Sequence, residues 1–115
     1  MESSIDEIVI KGVTYVPKGE ILPIFKEMGS LKDIVGNSFY FRTVTYHIVG
    51  TVVQQISENI FKLENASWVA DSDRFMNAIK EGKLKEVEPM GTWYVNLDTV
   101  TDFGPWKHKL PTEQK

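Results

Sequence analysis

The pattern of apolar and polar positions predicts a β-rich chain from residue 38 onward. Residues 38–49, "SFYFRTVTYHIV", form one long β-prone segment with apolar side chains on both faces, Tyr40 on one and Phe39 and Phe41 on the other. Gly50 breaks or bends this run, "TVVQQI" continues as a strand, and "SEN" predicts a turn.

Three further segments complete a five-stranded antiparallel sheet. "IFKLENASWVA" returns from the turn with Ile60, Leu63 and Trp68 as core candidates. "TWYVNL" and "TVTDF" predict two short strands on either side of a bend at Asp98 and Thr99. The predicted fold class is therefore mainly β with short helices.

Helical spacing and turn residues mark two other regions. An N-terminal hairpin is predicted over 8–10 and 13–16, followed by a helix over 21–28 that ends at Gly29. The clearest helix is "DSDRFMNAIKEG", residues 71–82, which Asp71 or Ser72 is expected to cap and Gly82 to end. Its predicted apolar stripe consists of Phe75, Met76 and Ile79.

These elements predict one structural domain with three parts. Residues 1–37 form a hairpin and helix extension, 38–105 form a small barrel with a helical insertion at 71–82, and 106–115 form a tail. A chain of 115 residues has the length of a single domain.

Composition mainly excludes classes of protein. The formal charge of -3 and pI of about 5.4 lack the positive excess that neutralises phosphates, so DNA is not expected and RNA is not favoured. The absence of cysteine excludes disulfides, thiolate metal sites and a cysteine nucleophile, and it fits the cytoplasm. Neither a secretory signal nor an apolar run of about 20 residues is present, so no membrane association is expected.

The segment "GTVVQQISENIFKLENA" resembles the first motif of the Sm and Lsm family of small β-barrels. That motif runs from a glycine in the second strand, through a turn, to a third strand that ends in an acidic or small polar pair. Here Gly50 stands at the bend, Val52 and Leu63 point inward, and Glu64 and Asn65 stand at the strand end.

The segment "WYVNLDTVTDF" is similar in rhythm to the second Sm motif, with Val95-Asn96-Leu97 in the place of Ile-Arg-Gly. The two matches cover residues 39–103. The resemblance implies an Sm-like, SH3-type barrel of five curved antiparallel strands with the helical insertion before the last two. A generic SH3-like barrel is the alternative.

Sm-like proteins bind single-stranded RNA by stacking a base and hydrogen-bonding its edge. The residue-by-residue comparison puts the family's pocket positions on Ile56, Glu58, Ile60 and Asn96, and none retains the family's residue. A carboxylate at the stacking position, Glu58, would repel phosphate. The RNA pocket is therefore expected to be absent.

Ring formation is the second property that the resemblance implies. In the family, the fourth strand of one subunit pairs with the fifth strand of the next, which corresponds here to residues 92–96 and 99–103. The candidate interface residues of this homo-oligomeric ring are Trp93, Tyr94, Val95, Val100 and Phe103. The alternative is that the aromatic residues among them fill the subunit's own core.

No pattern of catalytic or metal-ligating residues is evident. His47 and His108 lie far apart without ligand spacing, so His47 is expected to be a hydrogen-bonded strand residue and His108 a solvated tail residue. Glu86 and Glu88 share a strand face and are expected to be exposed edge charges. The sequence predicts neither an enzyme nor a cofactor.

The chain also resembles, over 40–115, a group of uncharacterised phage and bacterial proteins, through segments such as "LENASWVADSDRF" and "PWKHKLPTEQK". The first hypothesis is a ring-forming, non-enzymatic assembly or adaptor protein. The alternative is a module that binds RNA or a nucleotide through a different surface, and an enzyme comes third.

Overall fold

The computed structural model describes residues 8–10, 13–15 and 25–115 and shows a mainly β protein. Its strands are β1 (Ile8–Ile10), β2 (Val13–Tyr15), β3 (Ser38–Thr43), β4 (His47–Gln55), β5 (Ile60–Asp71), β6 (Glu86–Asn96) and β7 (Val100–Pro105). The helices are α1 (Phe75–Glu81) and two 3-10 helices, Leu31–Ile34 and Leu97–Thr99. Strands β1 and β2 pair as the predicted hairpin, whose turn lies outside the described residues.

The other five strands form one antiparallel sheet in the order β6-β5-β4-β3-β7. The edge strands β6 and β7 are joined by only the three residues Leu97–Thr99. Four residue steps reach about 14 Å, whereas four strand spacings of a flat sheet span about 19 Å, so the sheet must curl. The edges do not pair with each other. The five antiparallel strands are confirmed, and they form an open sheet that does not close into a barrel within one chain.

The predicted long strand over 38–49 is in fact a hairpin. The chain turns at residues 44–46, and β3 pairs with β4, with Phe41 opposite Ile48. Thr43 closes the turn: its Oγ1 accepts the backbone N–H of Tyr46 at 3.0 Å and donates to the carbonyl oxygen of Tyr46 at 2.8 Å. The threonine hydroxyl therefore makes the kind of side-chain-to-backbone hydrogen bonds that asparagine or aspartate often makes in turns.

The sheet bends where Gly50 of β4 crosses Ala66 of β5. A Cβ at Gly50 would lie 3.1 Å from the Cα of Ala66, so only glycine fits without displacing the neighbouring strand. Asn65 beside it has a φ of 52°, and the pairing register shifts on both sides of this point. Strand β5 therefore does not end at Glu64 and Asn65, as the motif comparison predicted, but continues through the irregularity to Asp71.

Two apolar clusters cover the two faces of the sheet. The inner core contains Ile34, Phe39, Phe41, Ile48, Val52, Phe61, Leu63, Ala66 and Val95. The outer core, where α1 and the C-terminal tail pack on the sheet, contains Tyr40, Val49, Val69, Ala78, Leu84, Val87 and Trp106. The inward positions of Val52 and Leu63 are confirmed. Both faces of β3 are apolar because both are buried.

The predicted helix that ends at Gly29 is not found in the residues described before the 3-10 helix Leu31–Ile34. Residues 25–28 have no helical structure, so the predicted helix over 21–28 is wrong in this part, and residues 21–24 lie outside the described residues. The buried Asn37 side chain binds the backbone of Lys26 at both its N–H (2.9 Å) and its C=O (3.1 Å). These bonds hold Lys26 in the way that a neighbouring strand would.

Helix α1 is confirmed within the predicted 71–82 segment, but it begins later than expected. Arg74 occupies the N-cap position without a side-chain hydrogen bond, whereas Asp71 accepts the N–H of Asp73 in a preceding turn. Gly82 ends the helix with a φ of 73°. Met76 is exposed, contrary to its place in the predicted stripe, whereas Phe75 and Ile79 pack on the outer core. In the described parts of the chain, no helix is long and apolar enough to span a membrane.

Candidate functional site

An aromatic groove of about 520 Å³ lies at one end of the inner face. The described residues that line it are Thr45, Tyr46, Ile48, Trp68, Glu88, Met90 and Trp93. Its size is within the range of small-ligand pockets. Three of these residues are large aromatic residues with exposed side chains: Tyr46 at 42%, Trp68 at 39% and Trp93 at 46%. We call this surface the aromatic groove.

The strand register explains why these side chains meet. Trp68 of β5 lies between Ile48 of β4 and Glu88 of β6, and Trp93 lies opposite Leu63. The irregularity at Asn65 and Ala66 separates the well-packed half of the inner face from the half that holds Trp68. Trp68 is therefore not a core residue, as the sequence predicted, but a wall of the groove.

The predicted RNA-pocket positions lie at a different corner, where the β4–β5 loop meets the β6–β7 turn. Ile60 pairs with Asn96, so the structure brings these two positions together, while Ile56 and Glu58 are exposed in the loop. The Asn96 side chain is engaged in a hydrogen bond within the protein: its Oδ1 caps the 3-10 turn by accepting the N–H of Asp98 at 2.9 Å.

The electrostatics of this corner do not suit RNA. Asn59 bridges the two loops by donating to the Asp98 carboxylate at 2.6 Å. Glu58 and Asp98 place two negative charges where an RNA ligand would bring phosphates. The nearest cation along β5, Lys62, lies 4.0 Å from the Glu64 carboxylate.

The candidate interface residues divide into two groups. Trp93 and Tyr94 are 46% and 53% exposed on the edge strand β6, whereas Val95 is buried in the inner core. Val100 and Phe103 of β7 are half-buried, and the Phe103 ring packs 5.2 Å from that of Phe39. Only Trp93 and Tyr94 offer large side-chain surfaces to a partner.

A polar cluster joins the sheet to α1 on the outer face. Arg42 donates from Nε and Nη2 to the two carboxylate oxygens of Asp102, at 2.7 and 2.5 Å, and its guanidinium lies 4.3 Å from the centre of the Phe75 ring. The hydrogen bonds from Arg42 lower the pKa of Asp102. His47 Nδ1 lies 2.6 Å from the Tyr40 hydroxyl, so the predicted hydrogen bond of His47 is confirmed. Burial raises the pKa of Tyr40.

His47 gives the fold a specific pH dependence. Burial, together with the positive charge of Arg42, lowers the pKa of His47 below its ordinary 6.5. As the pH falls, the unfolded chain therefore takes up the proton first, and stability decreases below pH 6.5 until folded His47 is protonated as well. We expect the urea midpoint to fall between about pH 7 and 5, and His47→Gln to flatten this dependence.

The two carboxylates with shifted pKa values, Asp33 and Asp102, are not expected to contribute to this decrease in stability. Asp33 and Asp102 have pKa values below the ordinary 3.8, the first through backbone N–H groups of Gly29 and Ser30 and the second through Arg42. Their contributions are fully present above pH 3.8 and are lost only as the pH falls below it. Equal slopes for the wild type and His47→Gln between about pH 7 and 5 would contradict the assignment to His47.

His108 is not the solvated residue that the sequence predicted. Its Nε2 lies 2.6 Å from the carbonyl oxygen of Ile79 at the end of α1, and its ring packs 5.0 Å from that of Trp106. This contact fixes the tail to the helix. Within the described residues, no three His, Asp or Glu side chains are grouped so that they could hold a metal ion.

Sequence reasoning missed the aromatic groove because it assigned its members to other roles. Trp68 was expected in the core, Trp93 at a subunit interface, and Glu88 among the edge charges, while Tyr46 was assigned to a strand. The signal in the sequence was limited to the presence of three large aromatic residues in strand-forming segments. Comparison with known proteins gives no family model and no curated protein that matches this chain.

Proposed function

We propose that this protein is a non-enzymatic assembly or adaptor component whose copies join edge to edge in a closed, Sm-like ring in the cytoplasm. The observation that carries the proposal is the edge of β6, where no strand among the described residues pairs with the outer side of residues 90–96. Residues 90–96 contain no charged side chain, and two large aromatic side chains on this edge are about half exposed. A β-prone, uncharged sheet edge is a site for pairing with another chain.

The rest of the β6 edge is already covered. The backbone of Lys115 pairs with that of Val87, with N–H to O distances of 2.9 and 3.1 Å, so the C-terminal tail protects the first part of the strand. Glu86 and Glu88 add charge to the same part. In the part of the chain that the structure describes, this protection ends before the aromatic stretch begins, which fits a pairing surface limited to residues 90–96.

The second edge complements the first. Strand β7 is the opposite border of the sheet, and its one charged residue, Asp102, is paired with Arg42 of β3. If residues 92–96 pair antiparallel with 99–103 of a second copy, the middle residues Tyr94 and Thr101 face each other. Because the two edges differ, the contact is head-to-tail, and it closes a ring when the rotation between copies allows it.

A glutamate at the centre of the β6 edge should break this contact. We expect the wild type to have a native mass that is a multiple of 13.1 kDa and Tyr94→Glu to have the mass of a single chain. The new carboxylate would lie unpaired at the strand contact, opposite Thr101 of the second copy. Native mass spectrometry and light scattering measure the mass.

Met76→Glu is the matched control, because Met76 is similarly exposed, at 58% against 53% for Tyr94, but lies on α1. It should leave the native mass unchanged. A wild-type protein that remains a single chain at high micromolar concentration would refute the ring, and loss of mass in both variants would refute the edge as its cause.

A further inference from the structure

The charge of the aromatic groove selects the kind of ligand that fits it. Glu88 is the one charged residue among its described lining residues. In the part of the chain that the structure describes, Glu88 makes no ion pair, and its one side-chain hydrogen bond is accepted from the Gln114 amide, 3.3 Å from Oε2. A carboxylate among exposed aromatic rings attracts cations and repels anions.

The arrangement of the aromatic rings favours a guanidinium over an ammonium ion as the bound cation. Among the described residues, Tyr46, Trp68 and Trp93 do not stack on one another, and each is about 40% exposed, so each ring has surface that a ligand could contact. A planar guanidinium can stack on an indole face and still donate hydrogen bonds in the ring plane to a carboxylate. An ammonium ion makes a point contact and is more strongly hydrated.

We infer that the aromatic groove binds an arginine side chain of a basic peptide segment on a partner protein, through stacking on Trp68 or Trp93 and an ion pair with Glu88. This binding goes beyond the proposed ring and does not depend on it, because Trp68 and Ile48 lie on inner strands of the sheet. In a ring, each copy would present one groove, so the assembly would display several arginine sites together.

Tryptophan fluorescence tests this inference on the full chain. Trp68 and Trp93 are exposed in the groove, whereas Trp106 is buried at 1% and serves as an unaffected background. We expect a short glycine-flanked arginine peptide to cause a saturable change in emission. A lysine peptide of the same design should bind more weakly, and a glutamate peptide should have no effect.

Two variants locate the site. Glu88→Gln should weaken arginine-peptide binding about tenfold, because it removes the charge and keeps the shape. Glu86→Gln is the matched control on the same strand, outside the groove, and should bind like the wild type. Trp68→Leu should weaken binding by a similar factor of about ten through loss of the stacking surface.

Several outcomes would overturn the inference. The first is the absence of a saturable emission change with the arginine peptide, and the second is an equal effect of Glu88→Gln and Glu86→Gln on binding. The third is tighter binding of tetramethylammonium, or of a single-stranded RNA oligomer, than of the arginine peptide. Measuring the Tyr94→Glu variant as well separates this test from that of the ring. Retained binding by a single-chain Tyr94→Glu protein would support the groove whatever the outcome for the ring.

Discussion

Phe39→Ala is expected to destabilise the fold by about 3–5 kcal/mol. The Phe39 side chain is completely buried, and its ring packs against those of Phe25, Phe41 and Phe103 at 6.0, 5.7 and 5.2 Å. It therefore connects the segment around Phe25, β3 and the edge strand β7. Because domains of this kind are stable by about 5–15 kcal/mol, the loss removes a large share of the total, and urea unfolding would measure it.

Tyr46→Ala is the control for this large effect. Tyr46 is also aromatic but 42% exposed, and its described hydrogen bonds involve only its backbone. Its truncation should cost less than about 1 kcal/mol. Similar midpoints for Phe39→Ala and Tyr46→Ala would show that the aromatic cluster does not hold β7 in place.

The alternation of residues in β3 predicted which side chains share a face, but the pattern could not show where the strand ends. Phe39, Tyr40 and Phe41 lie on the faces that the sequence predicted. The turn at residues 44–46 was missed because Val44, Thr45 and Tyr46 are all strand-forming residues. What makes the turn is a hydrogen-bond arrangement of Thr43, which composition alone does not reveal.

The site was less predictable than the fold for a related reason. In a regular strand, every second residue faces the core, and this rule correctly placed Leu63 inside. Strict alternation from Leu63 would place Trp68 on the opposite face, but the irregularity at Asn65 and Ala66 shifts the register and brings Trp68 to the inner face, where it lines the groove. A shift of one residue is invisible in the apolar pattern but decides which aromatic residues are exposed.

Glycine positions were informative where the backbone itself requires glycine. Gly50 was predicted as a bend and lies at the close approach of β4 to Ala66. Gly82 was predicted as the end of α1 and occupies the left-handed position there. The sequence did not indicate that Gly82 also makes room for His108, because that contact depends on the path of the tail across the outer core.

Gly82→Ala should therefore destabilise the protein by about 2–4 kcal/mol, more than backbone strain alone would. A methyl group at Gly82 would lie 2.5–2.6 Å from Cγ and Cβ of His108, atoms near the base of the side chain. The tail would have to move, and His108 would lose its hydrogen bond to Ile79 and its contact with Trp106. Urea unfolding would measure the change in stability.

Gly91→Ala separates strain from steric conflict. Gly91 has a φ of 76°, close to the 73° of Gly82, but a methyl group there would meet no atom within 4 Å. It should cost only about 1–2 kcal/mol. In a His108→Gly background, Gly82→Ala should fall to the same cost, because both Cβ and Cγ of the clashing side chain are gone. If the two glycine substitutions cost the same in the wild-type background, the tail does not stabilise α1 through this contact, and the strain of the left-handed backbone accounts for the whole effect.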